Sequence, residues 1–426
     1  MLDRKKAPEI HNVGKLTFQE PNYKKLDNGV EIAMLKIGSQ EVVHVEFIFR
    51  TGMAQTENLV IPTLALDMIS TASKNFSSGE IAEKIDYYGA FLDSSLNMDF
   101  ITFSVFSLSK YIVEVLLIFK DALVNVVYNS NEVNIHLKNH QEKLKTDLEK
   151  VQYLCLKEFN KTIFKDHPYG NSIELNDYSN IESSMLKEFH QNTLNPDLLN
   201  IIISGNFDDN LYSQLNNCFG SLQGVTQKEN QRKLLESSPQ KIYVSKKNAV
   251  QSALRIGKLL NIDYGSKEYV VFKVLNTVLG GYFGSRLMSN IREEKGYTYG
   301  INSLVISYEL ATFFVISSEI KGDVEADALQ EIYKEISKLR ENLISEDELD
   351  TVKSYMLGSI LKSIDGPFLV AEQLKLFKLK GKGLDYLNEF CEMIKTVTAE
   401  QLKECAIKHL DIDSLSEVVV GNRGNK

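Results

Sequence analysis

Apolar and polar residues alternate along 42–52, VVHVEFIFRTG, with the period of two expected of a strand. The runs GAFLDSSLNMD (89–99) and FITFSVFSLS (100–109) read as a strand pair. A helix follows from Lys110 and another from near Ser130. Between the first strand and this pair, residues 60–90 read as a helix, a polar break and a second helix. The second helix opens at Ser77 with Glu80 three positions on, a capping pattern, and closes at Gly89. The same order recurs later. QSALRIGKLL (251–260) is a strand, and KEYVVFKVLNTVLGG (267–281) and GSRLMSNIREEKG (284–296) are helices. YTYGINSLVISYE and LATFFVISSEIKG are strands, and helices start at Glu325 and at Ser345-x-x-Glu348.

The helix-closing Gly89 and Gly296 lie 207 positions apart, and the helix starts Ser130 and Ser345 lie 215 apart. A repeat of that length is a duplicated domain rather than a solenoid unit. The polar stretch 224–241 lies near the middle, which divides the chain into domains 1–228 and 229–426. Strand pairs interleaved with helix pairs predict an α+β fold of two homologous domains, each an antiparallel-rich sheet with helices packed on one face.

At 426 residues and 43% apolar content, both domains can bury a core. The formal charge of −9 and pI near 5.5 argue against a phosphate-binding surface, hence against nucleic acid as a partner. Residues 1–12 lack the apolar core of a signal peptide. The longest apolar run, 111–119, is interrupted by Glu114 and too short to cross a membrane. Cys155, Cys218, Cys391 and Cys405 show no metal spacing and read as reduced, buried thiols, consistent with a cytoplasmic location.

Neither a G-x-S-x-G elbow nor a P-loop occurs. Gly280, Gly281 and Gly284 in LGGYFGSR could cradle a phosphate, but without a preceding strand they read as a tight helix–helix turn. His136 and His140 share one helical face at zinc-binding spacing. Asn139 occupies the position of a general base, no third ligand stands out, and Lys138 and Lys143 oppose a cation. A solvated helix face is the default reading. Asp99 and Asp166-His167-Pro168 read as structural turns. Arg292 and Tyr299 are, on composition alone, a surface ion-pair residue and a half-buried strand residue. Functionally, guanidinium and phenol could converge on a peptide carbonyl or carboxylate.

LNTVLGGYFGSRLMSNIREEKGYTYGINS (275–303) resembles the second-domain signature of the pitrilysin/insulinase-type (inverzincin) zinc peptidases: a glycine turn, S-R-L, then R-E-x-x-G-x-x-Y. LDNGVEIAML, SSGEIAEKIDYYGAFLDSS and FKDHPYG extend the likeness over nearly the whole chain, most closely to two-domain subunits of the mitochondrial processing peptidase type and their bacterial relatives. The resemblance implies a clamshell arrangement of the domains. In active members, H-x-x-E-H and a distant glutamate bind zinc and activate water. Here Thr63 and Asp67 match the two histidines, Leu66 the base, and Lys143 the third ligand, with Glu142 one position away. The first domain is therefore peptidase-like without H-x-x-E-H, and an Asp67–Lys143 pair could stand where the metal linked two helices.

The resemblance implies that Arg292 and Tyr299 are retained as a substrate-holding pair. The expectation is a subunit that binds no cofactor itself, acting on peptides beside a related zinc-bearing partner, with a homodimer left open. The alternatives are a purely structural subunit and an independent metallohydrolase using His136 and His140.

Overall fold

The computed structural model describes residues 13–69, 71–193, 195–224 and 238–423. The boundary expected at 228/229 and the leader reading of 1–12 lie outside the described residues. The first half runs β1 (Asn22–Lys25), β2 (Glu31–Lys36), β3 (Val42–Phe49), α1 (Val60–Met68), α2 (Ser78–Tyr87), β4 (Phe91–Leu96) and β5 (Ile101–Leu108). It continues with α3 (Ile112–Val124), α4 (Ser130–Asp147), α5 (Val151–Phe164), α6 (Ser183–Thr193), β6 (Leu199–Gly205) and α7 (Leu211–Phe219). The second half runs β7 (Lys241–Ser245), β8 (Gln251–Leu260), α8 (Lys267–Asn276), β9 (Thr298–Ser307) and β10 (Thr312–Lys321). Helices α9 (Glu325–Glu341), α10 (Glu346–Lys362), α11 (Pro367–Leu379), α12 (Tyr386–Thr396) and α13 (Ala399–His409) precede β11 (Ser416–Gly421).

The strands form two sheets, ordered β1-β2-β6-β3-β5-β4 and β7-β11-β8-β10-β9. Apart from β1 the orders correspond strand for strand. Each sheet is antiparallel except for one parallel pair, β2 with β6 and β7 with β11. The duplication read from the sequence is thus present in the topology, with β4 and β9 as equivalent edges.

In β3 the alternation sorts two buried faces. Val43, Val45, Phe47 and Phe49 enter the first core, where Phe47 lies 4.9 Å from Phe119 of α3 and 4.8 Å from Phe219 of α7. The opposite face, with Glu46 and His44, meets a helix from the other half. Lys375 of α11 donates to Glu46 at 2.6 Å, and Phe368 approaches His44 edge-on. The exchange is reciprocal, because α5 of the first half packs on β8 and β11 of the second sheet. Cys155, Phe159 and Ile163 there meet Ala253, Phe313, Val315 and Val418. The helix layer expected on one face is the one each half supplies for itself, and each sheet's other face is covered by a helix of the other half.

Local signals account for the two helix starts that the capping pattern predicted. Ser77 and Glu80 form a full capping box, each side chain taking the other's backbone N–H. Ser345 caps α10 by accepting from the Glu348 N–H, but the Glu348 carboxylate is held by Arg286 through two 2.8 Å bonds. The arginine of the S-R-L motif is therefore a structural clamp.

Candidate functional site

Helix α1 carries the positions that match the zinc-binding motif, and none of them can do its chemistry. Thr63 donates its hydroxyl to the Leu59 carbonyl at 3.0 Å, while Leu66 packs against the first core. Leu66 has no atom that accepts a proton. Lys143 is a cation, and its neighbour Glu142 pairs with Lys145 at 2.8 Å. These residues do not fit a catalytic zinc.

Asp67 does something the substitution pattern did not predict. Its Oδ2 lies 2.5 Å from His140 Nε2 and 3.7 Å from His136 Nδ1, so the histidines of α4 take the place expected of Lys143. The third ligand that the i, i+4 histidine pair lacked on paper is this carboxylate: the three ligating atoms lie within 4.8 Å of one another. The packing of Val60, Leu64 and Met68 of α1 with Val133 of α4 holds the helices in this register.

The second region is built around a turn between two π-helical segments, Thr277–Gly281 and Met288–Glu294, the latter containing Arg292. Such i→i+5 turns recur at functional sites. The Arg292 guanidinium lies 4.9 Å over the Phe283 ring. It forms no ion pair among the described residues, so the surface-pair reading gives way to a cation–π contact. Gly296, at φ +65°, turns the chain into β9. There the register slips: Ser318 opposes Ile301 but Ile320 opposes Thr298, leaving Tyr299 and Gly300 across from Glu319 alone. Bulges re-aim side chains, and Tyr299 is 88% exposed rather than half-buried.

Arg292 and Tyr299 both line a cavity of about 550 Å³. Gln152 and Cys155 of α5 contribute to the same wall, so it is shared between the halves. Arg255 of β8 also lines it, which sequence reasoning missed. Burial holds the Arg255 guanidinium below its ordinary range, and it has no carboxylate partner among the described residues. The nearby Cys155 thiol is pushed up to about 12 by burial, so it is no nucleophile.

Residues 64–177 match the insulinase-type domain of peptidase family M16, and residues 180–356 match the domain described as "Peptidase M16 inactive domain". The chain belongs to peptidase family M16. An uncharacterized zinc protease, YmxG of Bacillus subtilis, is 24% identical over 295 residues, covering 68% of this chain and 70% of that one. A Helicobacter pylori protein described as the non-peptidase homolog YmxG is 21% identical over 427 residues, covering 96% and 94%. The crystal structure of a peptidase M16 inactive domain from Pseudomonas fluorescens superposes with a TM-score of 0.86 at 20% identity, covering 95% of this chain and 98% of that one.

The names of these relatives point both ways, and the residues decide between them. The chain contains no H-x-x-E-H, and Leu66 stands where the resemblance puts the base, which is consistent with an inactive M16 homologue of the non-catalytic kind. The remaining sequence candidates are structural. Asp99 and Tyr169 are buried together, and His167 Nδ1 accepts from the Tyr169 N–H at 3.2 Å. Gly280 presses against Ser303 of β9 in a close helix–strand contact, as a packing glycine does. No helix among the described residues is long and apolar enough to cross a membrane.

Proposed function

We propose that this M16 chain is the complementary, non-hydrolytic subunit of a two-chain metallopeptidase acting on peptides. The observation that carries the reading is an imbalance between its halves. On α1 the residue matched to the base is Leu66, whereas Arg292 and Tyr299 both line one cavity beside an open sheet edge. A related partner subunit supplies H-x-x-E-H and its zinc, and this chain supplies the opposite wall. Guanidinium and phenol are donors, suited to a peptide carbonyl or carboxylate, and Arg255 adds a second cation to the same wall. The free edge of β9 can take an extended segment by strand addition. Four free, buried cysteines favour a reducing, cytoplasmic setting.

The test is peptide hydrolysis by the chain alone, by a candidate partner bearing H-x-x-E-H, and by the mixture. The mixture alone should be fully active, and Arg292→Ala in this chain should lower its kcat/KM by about 10²-fold, the scale of losing one charge-stabilising donor. Hydrolysis by the isolated chain would overturn the reading. An unaffected Arg292→Ala complex would reduce the chain to a scaffold.

A further inference from the structure

We propose that this chain holds a divalent transition-metal ion of its own, on Asp67, His136 and His140, as a clamp between α1 and α4. Two imidazoles and one carboxylate are a donor set suited to zinc, cobalt or nickel, and poor for magnesium or calcium, which favour all-oxygen sites. The two histidines are one helical turn apart on α4 and both face Asp67 on α1.

The spacing is close to what an ion needs. With bonds of about 2.0–2.1 Å, the ligand atoms of a tetrahedral site lie about 3.3 Å apart. The His140–Asp67 separation of 2.5 Å is shorter than that and the His136–Asp67 separation of 3.7 Å is longer. An ion would open the first and draw in the second, through small side-chain rotations with both helices left in place. All three side chains are about a quarter to a third exposed, which gives an ion access and leaves its fourth position to water.

This ion is not the one that the H-x-x-E-H motif would hold. Of the positions matched to that motif, only Asp67 contributes, and both imidazoles come from α4 instead. Neither Leu66 nor Asn139, the side chains at the two base-equivalent positions, can accept a proton from water. The site therefore joins two helices and does not hydrolyse peptides. The expectation that the chain binds no cofactor gives way to this proposal.

The test uses the full chain, freed of metal by chelation and titrated with zinc and with cobalt against a chromogenic chelator, without peptide or partner. One equivalent should bind, the cobalt form should show the visible absorption of a tetrahedral ion, and metal should raise the melting temperature. Asp67→Asn and His140→Gln should each weaken binding at least about 100-fold, exceeding the effect of lost outer-sphere partners, with unchanged circular dichroism. No uptake from a large excess of free zinc overturns the proposal, as does uptake that both variants leave intact. Asp67 and His140 would then be only a side-chain contact between the two helices. Because no partner is present, the outcome is independent of whether the chain complements another subunit.

Discussion

The Tyr169 phenol donates to the Asp99 carboxylate inside the seam between the two halves. The other Asp99 oxygen accepts the Glu309 N–H at 2.7 Å, and Tyr169 Oη accepts from the Leu310 N–H at 3.3 Å. A turn of the first half thereby holds the loop between β9 and β10, the hairpin that carries Tyr299. Tyr169→Phe leaves Asp99 buried with a donor missing and should cost about 1–3 kcal/mol. Urea denaturation measures the loss, and amide exchange should accelerate first in the β9–β10 hairpin. Uniform acceleration across both sheets would mean that the contact is not a local latch.

A second seam contact is Lys375 with Glu46, which is 2% exposed. Burial pushes the Glu46 carboxyl up despite the ammonium beside it, so the ion pair only partly offsets the desolvation. Lys375→Met strands a carboxylate and should destabilise by about 3–5 kcal/mol, whereas adding Glu46→Gln should recover most of the loss. Thermal melts of the two single variants and the double close the cycle. A double variant no better than Lys375→Met would show that the lysine's packing, not its charge, matters.

The strands and helices that the sequence revealed are those with a local signal. β8 matches its predicted bounds, and α9 starts at the predicted Glu325, because apolar periodicity marks them. β6 (LNIIISG) and β11 (SEVVVG) are short apolar runs buried on both faces, with no alternation to read. The crossing of α5 and α11 between halves is a non-local fact that no window contains. The site behaves the same way. Arg292 and Tyr299 were legible through a motif, but Asp67 and His140 are 73 positions apart and met only through the packing of α1 on α4. Nothing local marks Arg255 within its strand, and only the packing of α5 on that sheet makes it part of a cavity wall.

Acid should unfold the protein through its buried histidines. Burial, helped by the charge of Lys375, pulls His44 down to about 4, where its ring stacks on Phe106 at 4.1 Å. Burial also pulls His190 down to about 4, against the pull of the Leu123 carbonyl at 2.7 Å. Both depressed values mean that the unfolded chain takes up protons first, near the ordinary value of 6.5. Stability is complete above that pH and drains as pH falls towards about 4. Each group contributes about 3 kcal/mol to the loss, at roughly 1.4 kcal/mol per unit. His44→Phe keeps an aromatic stack and should remove its share of the slope between these limits, leaving that of His190 and of the likewise depressed His409. Denaturation at a series of pH values reads it, and an unchanged slope would place the acid sensitivity elsewhere.

Two glycines should respond to alanine with opposite signs. A Cβ on Gly280 would lie 2.7 Å from both the backbone nitrogen and the hydroxyl oxygen of Ser303. Ser303 cannot yield freely, because it donates to the Asn276 carbonyl and accepts from the Asn276 amide, both at 3.1 Å. Gly280→Ala should therefore cost about 1–3 kcal/mol as overpacking. Because Ser303 and Tyr299 share β9, the same change should also displace the phenol. Gly358 lies in the exposed interior of α10 with nothing within 4 Å of its would-be Cβ. Gly358→Ala should stabilise by about 0.5–1 kcal/mol through helix propensity and a less disordered unfolded chain. Melting curves of the two variants decide the matter. A tolerated Gly280→Ala would mean that the π-helical turn can move away from β9, and with it that Arg292 and Tyr299 are not held in a fixed relation.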